Sequence, residues 1–374
     1  MRKHPGKACS GLVLLTLMSL APASAFASGS GTVGKANPDV RRSASAWSPD
    51  RFAQARPLPV PETDFAAVAT IADEAEVAEA SAAGLPAFAA GHAPVAGVRP
   101  DASARLFDAD LTDLDAVKAP GSVSAPASGS AGAYFTSGRL VPLSADRSFP
   151  YSTVGKLFFH IPGKGDFYCS AAVIRVRIVA TAAQCIHSGT SSPGFYDDFQ
   201  FVPAYRDGAS PFGVWDWNFV SVPSTWASGG GKLPSAADYG LIELLDQSFS
   251  GQTRKVGEVV GYLGYQISHL RPNHAHLLGY ASNFDNGEKI HQVTAQAFRA
   301  AANNNVEYGS DMRGGSAGGP LIQDFGDNAT LVRWIGALSY FNNSTTLKVQ
   351  GASIPDSRFT SLINSVCAHK AGNC

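Results

Sequence analysis

The sequence predicts an all-β fold, a sandwich or barrel that ends in one helix and follows a long N-terminal arm. Three observations predict this. After Tyr134, short runs of β-branched and aromatic residues alternate with Gly, Pro, Asn and Asp. Between about residues 28 and 132, Ala, Pro and acidic residues dominate and aromatic residues are few. At the C-terminus, apolar residues recur at helical spacing.

The predicted strands are short apolar runs bounded by turn residues, which is the pattern of strands in sandwiches and barrels. They are Thr153–Ile161, Phe167–Ile174, Ile178–Ala182, Phe199–Tyr205, Tyr239–Leu244, Lys255–Tyr262, Ile290–Ala297, Leu331–Tyr340 and Val349–Ile354.

The predicted helix runs from Asp356 to His369. Asp356 or Ser357 can cap its N-terminus. Four apolar residues then share one face of the helix, namely Phe359, Leu362, Ile363 and Val366.

Residues 1–27 have the pattern of an export signal. Basic residues precede an apolar run from Gly11 to Ala21, and Ala23-Ser-Ala25 is a site that a signal peptidase can cut. The run is too short to span a bilayer, and no later segment approaches the roughly 20 apolar residues that a span needs. We therefore expect a secreted protein, extracellular or periplasmic, without a membrane partner.

Residues 28–132 are predicted to be a pro-region or linker that is largely disordered, because this composition buries too little apolar surface to fold alone. One stretch, Phe65 to Ala83, could form an acidic helix, so a partly folded pro-segment remains an alternative. Residues 133–374 then form the folded domain.

Composition limits the partners. A hydrophobic fraction of 45% is enough for a sizeable core, and a formal net charge of −1 gives no electrostatic reason to bind nucleic acid. His274 and His276 are two residues apart and would share one face of a strand, but without a third ligand we expect solvated histidines and no metal. We expect a monomer without a cofactor.

Four cysteines remain after removal of the signal with Cys9. An even number in an exported chain predicts two disulfides, although four cysteines allow three connectivities. We pair Cys169 with Cys185 and Cys367 with Cys374, because each pair closes a short local loop.

Three segments, in chain order, carry a resemblance to a known family. The first joins Cys169-Ser-Ala-Ala-Val-Ile to Ile178-Val-Ala-Thr-Ala-Ala-Gln-Cys185, the second is Ala237-Asp-Tyr-Gly-Leu-Ile-Glu-Leu244, and the third is Asp311-Met-Arg-Gly-Gly-Ser-Ala-Gly-Gly-Pro320. Together they resemble the trypsin-like serine peptidases, and in particular the secreted bacterial branch similar to glutamyl endopeptidases. The resemblance covers residues 149–374. It implies two six-stranded antiparallel β-barrels of the chymotrypsin type, followed by the C-terminal helix.

The resemblance also locates two departures from the family pattern. Gln184 stands in the histidine position and Ala317 in the serine position, whereas Asp238 keeps the acid. An amide does not take up a proton near neutral pH, and a methyl group cannot attack a carbonyl. The N–H groups of Gly315 and Ala317 could still form the family's oxyanion hole.

The expected substrate groove lies beside the segment Gly336–Tyr340, which resembles the strand that pairs with the substrate backbone. Ser339 and Tyr340 are therefore candidate binding residues. Asp311 lies six residues before Ala317, where trypsin has the acid of its specificity pocket, although a solvated turn aspartate is an alternative. Leu338 replaces the histidine of the glutamyl endopeptidases, so specificity for acidic residues is not implied.

Three functions follow from these observations. The first is a secreted, catalytically inactive homologue, a pseudopeptidase that binds a peptide or protein. The second is an active secreted serine endopeptidase that uses Ser316 with His187, or another register of the triad; otherwise Ser316 caps the turn and His187 is a loop histidine. The third is a structural domain without a binding groove.

Overall fold

The computed structural model describes residues 1, 26–28, 31–40, 47–63, 87–107, 132–342 and 347–374. The elements before the barrels are β1 (Phe26–Ser28), β2 (Thr32–Ala36), α1 (Pro49–Gln54), β3 (Arg56–Pro57), β4 (Glu62–Thr63), β5 (Phe88–Ala89) and β6 (Phe135–Arg139). Residues 2–25 of the predicted signal and the predicted helix Phe65–Ala83 lie outside the described residues.

The first barrel is built from six strands and a large apolar interior. Its strands are β7 (Val154–Ile161), β8 (Gly165–Val173), β9 (Ile178–Thr181), β10 (Asp197–Pro203), β11 (Trp215–Pro223) and β12 (Gly240–Leu244). They close in the order β10-β7-β8-β9-β12-β11, and every barrel pairing is antiparallel. The helix α2 (Ser224–Ala227) follows β11, and the hairpin β13 (Gln247–Phe249) and β14 (Gln252–Arg254) follows β12.

The second barrel follows a short connection formed by α3 (Val256–Val260) and β15 (Gly264–Gln266). Its strands are β16 (His274–Gly279), β17 (His291–Ala301), β18 (Asn305–Gly309), β19 (Pro320–Gln323), β20 (Arg333–Asn342) and β21 (Val349–Ser353), and α4 (Ser357–His369) ends the fold. They close in the order β16-β17-β18-β21-β20-β19. Two closed six-stranded antiparallel barrels with a C-terminal helix confirm the predicted fold class.

The arm contributes edge strands to these barrels. Its strand β2 pairs with β11, β3 with β8, β4 with β20 and β5 with β15. The prediction of a largely disordered arm does not hold for these paired segments. Strands outside the arm supply the hydrogen-bond partners that the arm alone lacks. Within the described residues, the arm forms no barrel of its own.

One predicted strand is wrong. Lys255–Tyr262 contains the helix α3, although valine favours strands. Val256, Val259 and Val260 recur at helical spacing and all are buried, so a helix satisfies the apolar pattern. The carboxylate of Glu258 accepts the N–H of Lys255 (3.0 Å), and Gly261, at φ 77°, ends the turn.

The predicted disulfides and the predicted C-terminal helix agree with the structure. Both disulfides have the predicted pairing, Cys169–Cys185 and Cys367–Cys374. The C-terminal helix begins after Asp356, whose side chain accepts the N–H of Arg358, and its four predicted apolar residues are buried. No helix among the described residues is long and apolar enough to cross a membrane.

Candidate active-site cleft

Asp238 is the polar centre of the junction between the two barrels. The residue is fully buried just before β12. Its Oδ1 accepts the backbone N–H of Gln184 (2.9 Å), and its Oδ2 accepts Gln184 Nε2 (2.8 Å) and the hydroxyl of Ser339 (2.6 Å). Burial raises the pKa of Asp238 to about 6, although these hydrogen bonds to Ser339 and Gln184 lower it.

Gln184 is held from three sides. It lies in a 3-10 turn, Ala183–Cys185, that the Cys169–Cys185 disulfide ties to β8. Its Nε2 donates to Asp238 and also to the carbonyl of Ser339 (2.6 Å). An amide has two N–H donors, and these two acceptors use both. The side chain therefore orients Asp238 and Ser339 but has no proton chemistry to offer near neutral pH.

The glycine-rich turn of the second barrel packs against the first. Gly315 and Gly318 have φ values of 83° and 79°. A Cβ at Gly318 would lie 1.9 Å from the hydroxyl of Thr181, and one at Gly315 would lie 2.4 Å from the ring of Tyr168. Glycine is therefore required at both positions. Ala317 is fully buried between them and belongs to the apolar cluster of the Cys169–Cys185 disulfide.

Ser316 and His187 make separate contacts. The hydroxyl of Ser316 donates to the carbonyl of Arg313 (2.7 Å) and accepts Gln350 Nε2 (3.0 Å). His187 Nδ1 accepts the N–H of Gly189 (3.0 Å), and burial lowers the pKa of His187 to about 4. No hydrogen bond joins Ser316 to His187 within the described part of the chain.

Asp311 is buried at 6% exposure, so it is not a solvated turn residue. Burial raises its pKa, and a hydrogen bond from Ser137 lowers it. Ser137 Oγ also lies 2.6 Å from His291 Nε2. In a catalytic triad the acid is hydrogen-bonded to the imidazole, and the imidazole to the serine. Here Asp311 contacts Ser137, and Ser137 in turn contacts His291, so the order differs. Neither Ser137 nor His291 has a sequence pattern that singles it out.

The binding residues predicted on β20 have different surroundings. Ser339 supplies a hydroxyl to Asp238 and a carbonyl to Gln184. The side chain of Tyr340 is fully buried, and its ring leaves no room for a Cβ at Gly351. Phe341, which the sequence analysis did not select, donates its N–H to the carbonyl of Pro61 in the arm (3.2 Å).

The predicted oxyanion donor also contacts the arm. The N–H of Gly315 donates to the carbonyl of Leu58 (3.0 Å). Leu58 lies more than 250 residues earlier in the chain, so no local pattern could have indicated this contact.

The candidate metal ligands His274 and His276 meet edge to face with ring centroids 6.1 Å apart. The described residues contain no cluster of three metal ligands.

The two closed barrels and the C-terminal helix define a chymotrypsin-like serine protease fold. No protein-family model and no curated protein matches the chain.

Many solved structures are similar to the chain. The protease Anisep from Arthrobacter nicotinovorans is 27% identical with a TM-score of 0.49, over 58% of this chain and 96% of its own. The thermostable serine protease AL20 from an extremophilic microorganism is 25% identical with a TM-score of 0.49, over 59% and 98%. A Glu endopeptidase in complex with MPD is 18% identical with a TM-score of 0.47, over 62% and 96%.

Proposed function

We propose that this chain is a secreted pseudopeptidase, which binds a peptide or protein in the cleft between its barrels without cleaving it. In this proposal Gln184, Asp238 and Ala317 occupy the positions of the family's histidine, aspartate and serine. The observation that carries the proposal is the hydrogen bond from Gln184 Nε2 to Asp238 Oδ2 (2.8 Å).

The chemistry of these residues supports the loss of cleavage. Gln184 cannot act as general base, and Ala317 has no atom that can attack a carbonyl. Loss of either partner typically costs on the order of a million-fold in turnover, and the two losses do not add. Either substitution alone would therefore abolish useful activity.

The backbone contacts support binding. The N–H of Gly315 already holds a peptide carbonyl, that of Leu58, and Phe341 on β20 holds another, that of Pro61. Both N–H groups belong to the second barrel, and both donate to the backbone of an extended segment of the arm. These contacts favour a binding protein over a purely structural domain.

The contacts of Ser316 disfavour the active alternative. A serine nucleophile needs a base that accepts its hydroxyl proton. The hydroxyl of Ser316 donates to the carbonyl of Arg313, which is not a base, and His187 is bonded within its own loop.

The proposal includes the organisation of the chain. Residues 1–27 act as an export signal, residues 28–132 as a pro-region or linker, and residues 133–374 as the binding domain. The two disulfides support an oxidising, extracytoplasmic location. The protein works as a monomer on a peptide or protein ligand, without metal or cofactor.

A fluorophosphonate probe tests the proposal. We expect wild-type protein to take no label and to cleave no peptide in a mixed library. The double variant Gln184→His/Ala317→Ser should take label at position 317, and Ala317→Ser alone, which lacks the base, should react far more slowly. These reactions are also run in protein that carries Leu58→Asp/Val60→Asp, which we call the open-groove variant.

Labelling of the wild-type protein would overturn the proposal. The matched variant Ser316→Ala identifies the reacting atom. If this variant removes the label and the hydrolysis together, the chain is an active endopeptidase that uses Ser316.

A further inference from the structure

Residues 56–63 cross the groove and are bonded to both barrels. On the first barrel, β3 lies parallel to β8, with Pro57 opposite Tyr168. On the second barrel, β4 lies parallel to β20, with Glu62 opposite Phe341. One stretch of the arm therefore covers the cleft from one wall to the other.

The backbone of this stretch meets the polar groups of the cleft. The N–H of Leu58 donates to the carbonyl of Tyr168 (2.9 Å), and the carbonyl of Leu58 accepts the N–H of Gly315 (3.0 Å). Further along, the carbonyl of Pro61 accepts the N–H of Phe341 (3.2 Å). A carbonyl of the arm thus lies at the position proposed for the oxyanion hole.

The side chains of this stretch alternate between the cleft and solvent. Leu58 and Val60 are 9% and 5% exposed, whereas Pro59 between them is exposed. Leu58 and Val60 pack in the apolar cluster that contains Ala317 and the Cys169–Cys185 disulfide. This alternation is that of an extended peptide with one face in a groove.

The composition of the stretch suits the groove. Prolines occupy positions 57, 59 and 61, and each fixes φ and removes one N–H. The chain is therefore held extended before it binds, which reduces the entropy lost in the groove. At the far end, Glu62 attracts Arg313, whose guanidinium lies 4.6 Å from the centroid of the Phe341 ring.

We propose that residues 56–63 are an intramolecular ligand of the groove, and that the groove takes extended peptides in which prolines alternate with aliphatic residues. A partner peptide of this chemistry then binds only when the arm leaves the groove. This inference rests on the proposed function, since it assigns the ligand class and the regulation of the same site.

The test uses a charged pair that expels the arm. The open-groove variant is Leu58→Asp/Val60→Asp in the full chain. Its control, Ala53→Asp/Gln54→Asp, adds the same charge at two exposed positions of the arm. The probe is a fluorescein-labelled peptide of residues 55–63, and its binding is followed by fluorescence anisotropy.

We expect the open-groove variant to bind this peptide at least tenfold more tightly than the wild type or the control. The arm belongs to the same chain as the groove, so its effective concentration is high and the intact arm excludes the free peptide. A peptide with aspartates in place of its leucine and valine should not bind.

Hydrogen exchange gives a second readout. The amide of Gly315 should exchange at least tenfold faster in the open-groove variant than in the control. The amide of Ser170, which donates to the carbonyl of Ala317 (2.9 Å), reports on the fold and should stay protected. If the charged variant does not fold, Leu58→Ala/Val60→Ala replaces it, with smaller changes in the same direction.

Two results would overturn the inference and leave the proposed function standing. One is a folded open-groove variant that does not bind the peptide and shows unchanged exchange at Gly315. The other is equal peptide binding by the wild type and the open-groove variant. Cleavage of the peptide by wild-type protein would instead overturn the proposed function.

Discussion

At Asp238, burial and hydrogen bonding shift the pKa of the carboxyl group in opposite directions. Burial raises its pKa to about 6, even though Ser339 and Gln184 donate to it. A protonated imidazole would add a positive charge beside this carboxylate, whereas the amide of Gln184 adds only dipoles. At neutral pH the site therefore holds an ionised carboxylate whose hydrogen-bond donors, Gln184 and Ser339, are both uncharged.

The raised pKa makes stability depend on pH. Between the ordinary value of 3.8 and about 6, the folded protein keeps a proton that the unfolded chain has released. The contribution of Asp238 to the free energy of unfolding therefore falls as pH rises through this window, by about 3 kcal/mol in total. In Asp238→Asn this fall is absent. We expect the variant to gain about 2 kcal/mol relative to the wild type between pH 4 and 6.5, measured by urea unfolding.

The comparison cancels other titrating groups. His187 has a pKa lowered to about 4 and contributes the opposite slope in the same window, but it is present in both proteins. Asp146→Asn serves as a second case, because burial also raises the pKa of Asp146 to about 6. Parallel pH curves for wild type and Asp238→Asn would contradict a raised pKa at Asp238.

At the scale of elements, the C-terminal helix α4 joins the two barrels. Phe359 on its buried face stacks on Trp334 of the second barrel, with ring centroids 4.8 Å apart. The same ring meets Tyr239, at the start of the last strand of the first barrel, edge to face at 5.7 Å. One side chain thus packs against residues of both barrels.

Removal of this side chain should destabilise the whole domain. We expect Phe359→Ala to lower the free energy of unfolding by about 4 kcal/mol, because it leaves a cavity where three aromatic rings meet. Chemical denaturation at neutral pH measures the change. The control Ser361→Ala, on a half-buried position of the same helix, should change stability by less than about 0.5 kcal/mol. An equally small effect of Phe359→Ala would show that the helix does not hold the barrels together.

At the scale of the whole molecule, the candidate site exists only where barrels and arm meet. The first barrel supplies Asp238, Gln184 and Ser170, and the second supplies the turn around Ala317. Ser170 joins the two, since its N–H donates to the carbonyl of Ala317 (2.9 Å) and its hydroxyl to the carbonyl of Gly315 (2.9 Å). The arm then covers this junction through Leu58.

The cover predicts a rate difference for the restored enzyme. Gln184→His/Ala317→Ser should react with a fluorophosphonate at least tenfold faster when it also carries Leu58→Asp/Val60→Asp, because the probe must reach position 317 and the N–H of Gly315. The rate of active-site labelling, read by intact mass, measures this.

The control for this rate is the restored enzyme with Ala53→Asp/Gln54→Asp, which should react as slowly as the restored enzyme alone. Equal rates in the open and closed backgrounds would show that the arm does not limit access to the site.

Patterns within a few residues predicted much of this protein. Strands such as β7 and β9, the capped helix α4 and both short-loop disulfides follow from periodicity and spacing, which are local. The motifs that carry the resemblance also singled out Gln184 and Asp238, whose side chains are hydrogen-bonded in the structure. Prediction failed where tertiary burial outweighed local preference. The segment of α3 was predicted as a strand because of its valines, but these valines are buried in a helix. The strand β18 was not predicted, and its charged residue Glu307 is buried in an ion pair with Arg299 (2.7 Å).

The sequence by itself determined the chemistry of the side chains at positions 184 and 317, because an amide and a methyl group cannot act as base or nucleophile in any fold. Only the tertiary structure decided which residues of the arm contact the turn around Ala317. Leu58 and Gly315 are too far apart in the chain for any local pattern to relate them. Their hydrogen bond forms because the arm pairs with β8 of one barrel and with β20 of the other, which brings Leu58 beside Gly315.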